Sequence, residues 1–272
     1  FITGLILFYH SRDVAREEAH YRLLEITQKY VNEIEGAINQ LELIGRMMEG
    51  LVKGSMPLEE IMGDEDSMLR YKRKLATMTD SLAHAMKPAS LWIVFNPALA
   101  PGEHTVSFYD HNGDGYYKRS TQYRVSDRDL NSRHMQWWTR GVEKGEYWTL
   151  RYYWEDWDME LISYANAVYK DSLLLGVAGS DFGFKTLRRQ IAGTKVYERG
   201  YLVLLDTNLN LLIHPQYKGK KLGNITGDKQ YEQFKRLLEN NEEGVVQFNA
   251  ETGKQMLSYS KLSNGWILGA VV

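Results

Sequence analysis

Leu173-Leu174-Leu175-Gly176-Val177-Ala178-Gly179-Ser180-Asp181 is an apolar run that finishes on one carboxylate. Its length and composition are those of a buried strand. The residues before it are crowded with large rings, for Trp137, Trp138, Trp148, Tyr152, Tyr153, Trp154 and Trp157 precede it closely. Bulky aromatics followed by a single acid at a strand end predict a small concave site, walled by rings and polarised by one negative charge.

Upstream of that strand, Ser90 to Phe95 reads as another buried strand, and Val106 to Tyr109 with Tyr116 to Ser120 reads as a hairpin around Asp110-His111-Asn112-Gly113-Asp114-Gly115. Leu130 to Val142 is expected to be a short helix carrying Trp137 and Trp138. Tyr147 to Tyr153, Glu160 to Tyr169 and Ser172 to Asp181 supply three more strands, which gives a first module of about five antiparallel strands in an α+β fold. Downstream, Lys185 to Ile191 is a helix. Strands at Gly200 to Asp206 and Asn210 to Pro215, a helix at Asp228 to Glu239, and strands at Gly244 to Asn249, Lys254 to Lys261 and Gly265 to Val272 repeat the plan.

Ahead of both sheets runs a helix of unusual length, expected from about Asp13 to Val52. Leu23, Thr27, Tyr30, Ile34, Ala37, Leu41, Ile44, Met48 and Leu51 follow one another by steps of four and three, the period of a packed seam. Such a rod is about 60 Å long, and its early part has only another chain to pack on, so a parallel homodimer is expected. A second helix is expected from Ser67 to Met86, ended by Pro88. Residues 1–9 are apolar and stop at His10-Ser11-Arg12-Asp13. They read as the outer end of a transmembrane helix or as a leading apolar segment, being too few to span a bilayer, which takes about 20. The last strand ends without a closing polar residue, as though the polypeptide continued.

Composition narrows the function. The 272 residues carry a net charge of -2, with no basic stripe for nucleic acid. There is no cysteine, which removes disulfide frameworks, thiolate metal sites and cysteine nucleophiles. No phosphate loop, dinucleotide-binding glycine pattern, nucleophile elbow or metalloprotease helix occurs, so no catalytic residue and no cofactor is expected. Asp110-x-Asn112-x-Asp114-Gly115 opens like a calcium loop, but Thr121 stands where the bidentate glutamate belongs. A turn-rich hairpin tip explains it more simply, and no metal site is expected.

These segments together resemble the double Cache extracytoplasmic sensor domains of bacterial and archaeal transmembrane receptors. Leu175 to Phe182 is similar to the strand that ends the membrane-distal module of that family. Gly200 to Asp206 through Ile213-His214-Pro215 resembles the opening hairpin of the membrane-proximal module, and Trp148-Thr149 with Tyr152-Tyr153 and Ile162 to Ala165 resembles the tryptophan-threonine and tyrosine signature of the distal strands. The resemblance implies two PAS-like modules, each a mainly antiparallel five- to six-stranded sheet flanked by helices. It places the stalk helix and second helix at 10–86, the distal module with the ligand pocket at 87–192 and the proximal module at 193–272. It also implies a domain in the periplasm or outside the cell, held by transmembrane helices in the inner membrane, with a histidine kinase, diguanylate cyclase or chemotaxis module beyond it.

In the amino-acid-binding members an arginine two residues before a Trp-Tyr pair holds the ligand carboxylate, and an aspartate at the end of the last distal strand holds the amine. Here the pair is Trp137-Trp138, the arginine place falls on Met135, and the aspartate is Asp181. Only the amine half is kept. Met135 offers no bidentate fork, so an amine or other cationic metabolite is the expected ligand, with an amino acid as the alternative if Arg133, Arg140 or Arg151 turns inward. A second alternative is a ligand-free spacer that senses through a partner protein. Trp137, Trp138, Trp148, Tyr153, Tyr164, Asp181 and Met135 are the expected ligand-binding residues, with Asp181 otherwise capping the helix that starts near Gly183.

Overall fold

A single helix, α1 (Ile2–Ser55), opens the chain in the computed structural model, which describes residues 2–102, 104–120, 130–217, 220–223, 227–250 and 253–272. The apolar start continues straight into the stalk helix. Its buried stripe is Leu23, Thr27, Val31, Ile34, Ile38, Leu41, Ile44, Met48 and Val52. Val31, Ile38 and Val52 replace the expected Tyr30, Ala37 and Leu51, which sit one residue earlier and are only half-buried. Both spacings satisfy a period near 3.6, and β-branched side chains one position on have the better fit to the covered face. Among the described residues, no helix is long and apolar enough to cross a membrane.

After α1 come a short α2 (Leu58–Ile61) and α3 (Glu65–Met86). Asp64 starts α3 by accepting hydrogen bonds from the Asp66 and Ser67 amides, and Lys87 ends it in the left-handed conformation one residue before Pro88. The chain divides into two compact units, one of Ile38–Leu187 and the other of Phe1–Ala37 with Arg188–Val272.

The first unit holds a seven-stranded antiparallel sheet of β1 (Ser90–Phe95), β2 (Thr105–Tyr109), β3 (Lys118–Ser120), β4 (Glu146–Trp148), β5 (Tyr152–Trp154), β6 (Met159–Lys170) and β7 (Leu173–Gly183). The order is β3-β2-β1-β7-β6-β4, with β5 on the same edge of β6 as β4. The single strand expected at 147–153 is therefore two, because Thr149 leaves the ladder and bonds Ser163 through both its amide and its hydroxyl. The helix expected at 130–142 is a 3-10 turn (Arg133–Met135) followed by α4 (Gln136–Lys144). Asp110 spends its carboxylate on the amides of Asn112, Gly113, Asp114 and Gly115, which makes the calcium-like segment a self-capped hairpin tip.

Alternation divides this sheet between two cores. Leu91, Ile93 and Phe95 join α1 and α3 on one face, while Trp92 and Val94 join Trp137, Tyr152 and Trp157 on the other. The α1 side is tightly seated. Ser180 Oγ donates to the Leu41 carbonyl at 2.7 Å, Asn166 donates to Glu49 at 2.9 Å, and a Cβ at Gly45 would lie 2.7 Å from two ring carbons of Tyr164. Gly45→Ala is expected to cost about 1 to 3 kcal/mol from overpacking, measured by urea unfolding. Combining it with Tyr164→Ala should relieve part of that cost, and strictly additive losses would count against the contact.

The second unit holds α5 (Phe184–Ala192) at its border and a six-stranded antiparallel sheet of β8 (Lys195–Val196), β9 (Gly200–Leu205), β10 (Leu211–Ile213), β11 (Glu243–Ala250), β12 (Gly253–Lys261) and β13 (Ile267–Val271). Its order is β10-β9-β13-β12-β11, with β8 beside β9, and α6 (Asp228–Asn240) joins its core through Phe234 and Leu238.

Candidate functional site

The face of the first sheet that turns away from α1 carries a partly open pocket, whose empty space with the solvent at its mouth included is about 400 Å³. Register determines what reaches it. Asp181 stands opposite Ser90 on β1 and opposite Ser163 on β6, and Trp92 stands opposite Gly179. Directly opposed residues share a face, so Ser90, Trp92, Ser163 and Asp181 converge on one side. Gly179 makes the room: a Cβ there would lie 2.3 Å from the Trp92 ring.

Asp181 is the buried acid at the base. Its Oδ2 accepts from the Ser90 hydroxyl, and from the Trp92 indole at 3.1 Å. The Ser163 hydroxyl lies beside it and also meets the Tyr152 hydroxyl at 2.7 Å, with either of the two able to donate, and Oδ1 has no donor in full hydrogen-bonding geometry. Burial pushes the carboxyl up to about 6, against the pull of Ser163, Ser90 and Trp92. It caps no helix. Rings close the walls, with Trp137 edge-on to Trp92 at 4.9 Å and Trp157 stacked on Tyr109 at 4.7 Å. Trp154 and Trp157 meet at 5.7 Å, and the exposed Asp156 adds a second carboxylate at the wall. No cationic side chain lines the pocket among the described residues.

Of the residues expected from sequence, Trp137 and Asp181 line the pocket together. Met135 is buried at the start of α4 and Trp138 packs against Trp137, both in the aromatic core behind the wall. Trp148, Tyr153 and Tyr164 are elsewhere. Trp148 pairs with Tyr164 across β4 and β6, and both face α1, where Trp148 donates to Glu42 at 3.0 Å and stacks on Phe182. Tyr153 is exposed and donates to Asp158. Each has the opposite parity to Asp181, and a one-residue step reverses the face. Tyr152, Trp154, Trp157 and Trp92 take their places. Of these, Tyr152 was within reach of sequence: it alternates with Tyr153, so one of the two had to face inward.

Of the arginines considered for a ligand carboxylate, Arg140 pairs with Glu143, and Arg151 lies over the Phe184 ring at 4.7 Å and near Glu160 at 3.7 Å. Neither turns into the pocket. The Arg133 side chain and residues 121–129 lie outside the described residues.

Two antiparallel sheets of the same strand order behind one long helix define a tandem PAS-like protein. The family model of the methyl-accepting chemotaxis protein-like first PDC sensor domain matches residues 73–189, and that of the Cache 3/Cache 2 fusion domain matches residues 170–272. Together the two models cover residues 73–272 and identify the chain as a double Cache sensor domain. Among solved structures, the extracellular domain of a proposed histidine kinase, soHK1S-Z6, is 19% identical, with 97% of this chain and 96% of that one covered and a TM-score of 0.70. The periplasmic sensory domain of the Campylobacter jejuni chemoreceptor Tlp1 is 15% identical, with 94% and 95% covered and a TM-score of 0.70. The sensory domain of the Campylobacter jejuni chemoreceptor Tlp3 with isoleucine bound is 13% identical, with 97% and 94% covered and a TM-score of 0.64. No curated protein sequence matches the chain.

Proposed function

We propose that this chain is the extracytoplasmic ligand-binding domain of a transmembrane signalling receptor, and that its first, membrane-distal module takes a small amine or quaternary ammonium compound. The observation that carries this reading is the buried Asp181 carboxylate, with Oδ1 unpartnered, at the base of an aromatic pocket. A desolvated acid is costly until a cation reaches it, and rings such as Trp137 and Trp157 each add about 0.5 to 2 kcal/mol of cation-π attraction. Trp137 and Asp181 are the ligand-binding residues retained from sequence, with Trp92, Tyr152, Trp154 and Trp157 added. Met135 and Trp138 hold the wall from behind.

Signalling follows from the two faces of β6 and β7. The strands that carry Ser163 and Asp181 on the pocket face press Tyr164 and Ser180 onto α1. A ligand that draws the pocket face together biases the seat of α1, and interface helix shifts of about 1 to 2 Å are enough to switch a packed seam. Flanking transmembrane helices, a parallel homodimer along α1 and a kinase, cyclase or chemotaxis module complete the proposed receptor.

A second reading keeps amino acids as ligands in an altered pocket. It is favoured by the likeness to the isoleucine-bound and L-norvaline-bound domains of Tlp3, in which case Trp157 Nε1, buried and without an acceptor among the described residues, is the donor left for a carboxylate. A thermal-shift screen with amines, quaternary ammonium compounds, amino acids, organic acids, sugars and nucleobases separates the readings. Amines that outperform the amino acids of the same side chain support the first, by the mass-action rise in melting temperature. Amino acids that outperform the matching amines support the second. No saturable shift with any class overturns both in favour of a spacer that senses through a partner protein.

A further inference from the structure

The second module carries a partly open pocket of its own on the corresponding face of its sheet, whose empty space with the solvent at its mouth included is about 870 Å³. The registers of the two sheets can be superposed residue by residue. In the first, Trp92 opposes Gly179, Ser90 opposes Asp181, and Ser163 opposes Asp181 on the other side. In the second, Val203 opposes Gly269, Tyr201 opposes Val271, and Leu257 opposes Val271. A glycine stands at the same node of both sheets. Around it, Val271 occupies the place of Asp181, Leu257 that of Ser163, Tyr201 that of Ser90 and Val203 that of Trp92. Asp181, Ser90 and Ser163 thus each have an apolar or phenolic counterpart, and the exchange of Trp92 for Val203 removes the ring that narrows the first pocket.

Tyr201, Val203, Leu257 and Val271 all line this pocket, with Phe234 and Leu238 of α6 across from them. The polar side chains on its wall are His214, Gln216, Asn249 and Gln255 with the phenols Tyr201, Tyr217 and Tyr259, so no charged side chain lines it among the described residues. His214 is fixed in one tautomer. Its Nδ1 accepts the amides of Gln216 at 3.0 Å and Tyr217 at 3.1 Å, and its ring sits between Tyr201 and Tyr217 at 5.1 and 4.9 Å. The neutral ring then carries its proton on Nε2, the one donor it has left to give. Burial lowers the His214 pKa to about 4, which keeps the ring neutral under ordinary conditions.

We infer that the second module is a separate binding site for an uncharged, mainly apolar molecule with one hydrogen-bond acceptor, a ketone, amide or ether carried on an aromatic or branched aliphatic body. The two modules thus select by opposite chemistry. A charged ligand entering the second would lose its hydration with no countercharge among the described residues to meet it, whereas a neutral one buries apolar area and gives its acceptor to His214.

The test is titration of the whole chain with N-phenyl-1-naphthylamine, a neutral polarity-sensitive fluorophore, followed by displacement with acetophenone, benzoate and benzylamine, which share a ring and differ in charge. The expected result is saturable binding of one probe per chain, unchanged in Asp181→Asn and displaced by acetophenone at concentrations at least about tenfold lower than by either charged competitor. Leu238→Trp, which fills the pocket from α6, should weaken probe binding by about tenfold or more while the protein stays folded. Absence of saturable binding, equal displacement by benzoate or benzylamine, or a probe site lost in Asp181→Asn and kept in Leu238→Trp would each overturn the inference. The competitor series decides the question even if Leu238→Trp fails to fold.

Discussion

Asp181→Asn is expected to lose affinity for cationic ligands by about a hundredfold or more, the usual consequence of removing one member of a buried charge pair, while the unliganded protein becomes more stable at neutral pH. The second half follows from linkage. Burial holds the folded carboxyl near 6 against an ordinary 3.8, so between those pH values the native state keeps a proton that the unfolded chain has released. The contribution of this group to stability is therefore complete below about pH 4 and is lost as pH rises through about 6. At neutral pH the ionised acid costs about 3 kcal/mol relative to a group that need not ionise, and asparagine removes that cost while keeping an oxygen for Ser90 and Trp92.

Binding runs the other way with pH. An amine remains protonated below pH 6, but Asp181 does not remain ionised without it, so affinity should fall about tenfold per unit of acidification below 6. Calorimetric titration between pH 5 and 8, with urea unfolding of the variant, checks both halves. A variant that lost affinity and stability together would show Asp181 to be structural, and an affinity indifferent to pH would remove it from the site.

The second large effect is expected at Gly179. A Cβ there would lie 2.3 Å from Trp92 Cζ2 and 2.5 Å from the Tyr164 carbonyl oxygen. The carbonyl belongs to the central ladder, and Trp92 is held by Asp181 and by Trp137, so neither can yield cheaply. Gly179→Ala should cost about 3 kcal/mol or more and disturb the pocket with it. Gly36→Ala is the contrast: the position is exposed in α1 with nothing within 4 Å of an added Cβ, and the change should stabilise by up to about 1 kcal/mol. Urea midpoints of the two variants measure the difference. A Gly179→Ala protein within 0.5 kcal/mol of the parent, the ordinary range of surface changes, would mean that β6, β7 and β1 do not meet as described.

Much of the fold was legible because its signals are local. The stripe of α1 repeats within a few residues, Pro88 follows the end of α3, and the apolar run before Asp181 has no polar alternative to burial. The split of 147–153 into β4 and β5 was not legible, since Thr149 leaves the ladder for a partner on β6 that only the folded sheet brings near. The single-residue error along α1 has the same origin: a period near 3.6 identifies a stripe, and the packing partner chooses its centre.

By itself, the sequence determined that two similar α+β modules follow a long helix, and that one acid at a strand end lies among aromatics. Tertiary structure alone decided which rings face that acid. Tyr153 and Tyr164 are nearer to Asp181 in sequence than Tyr152, and Trp148 is far nearer than Trp92, yet Trp148, Tyr153 and Tyr164 point elsewhere while Trp157, Tyr152 and Trp92 line the pocket. In a strand the face of a side chain depends on odd or even position, and the parity that matters is set by which residue stands opposite Asp181 on two neighbouring strands, Ser90 and Ser163. That register is a long-range property, fixed by sheet pairing and core packing together.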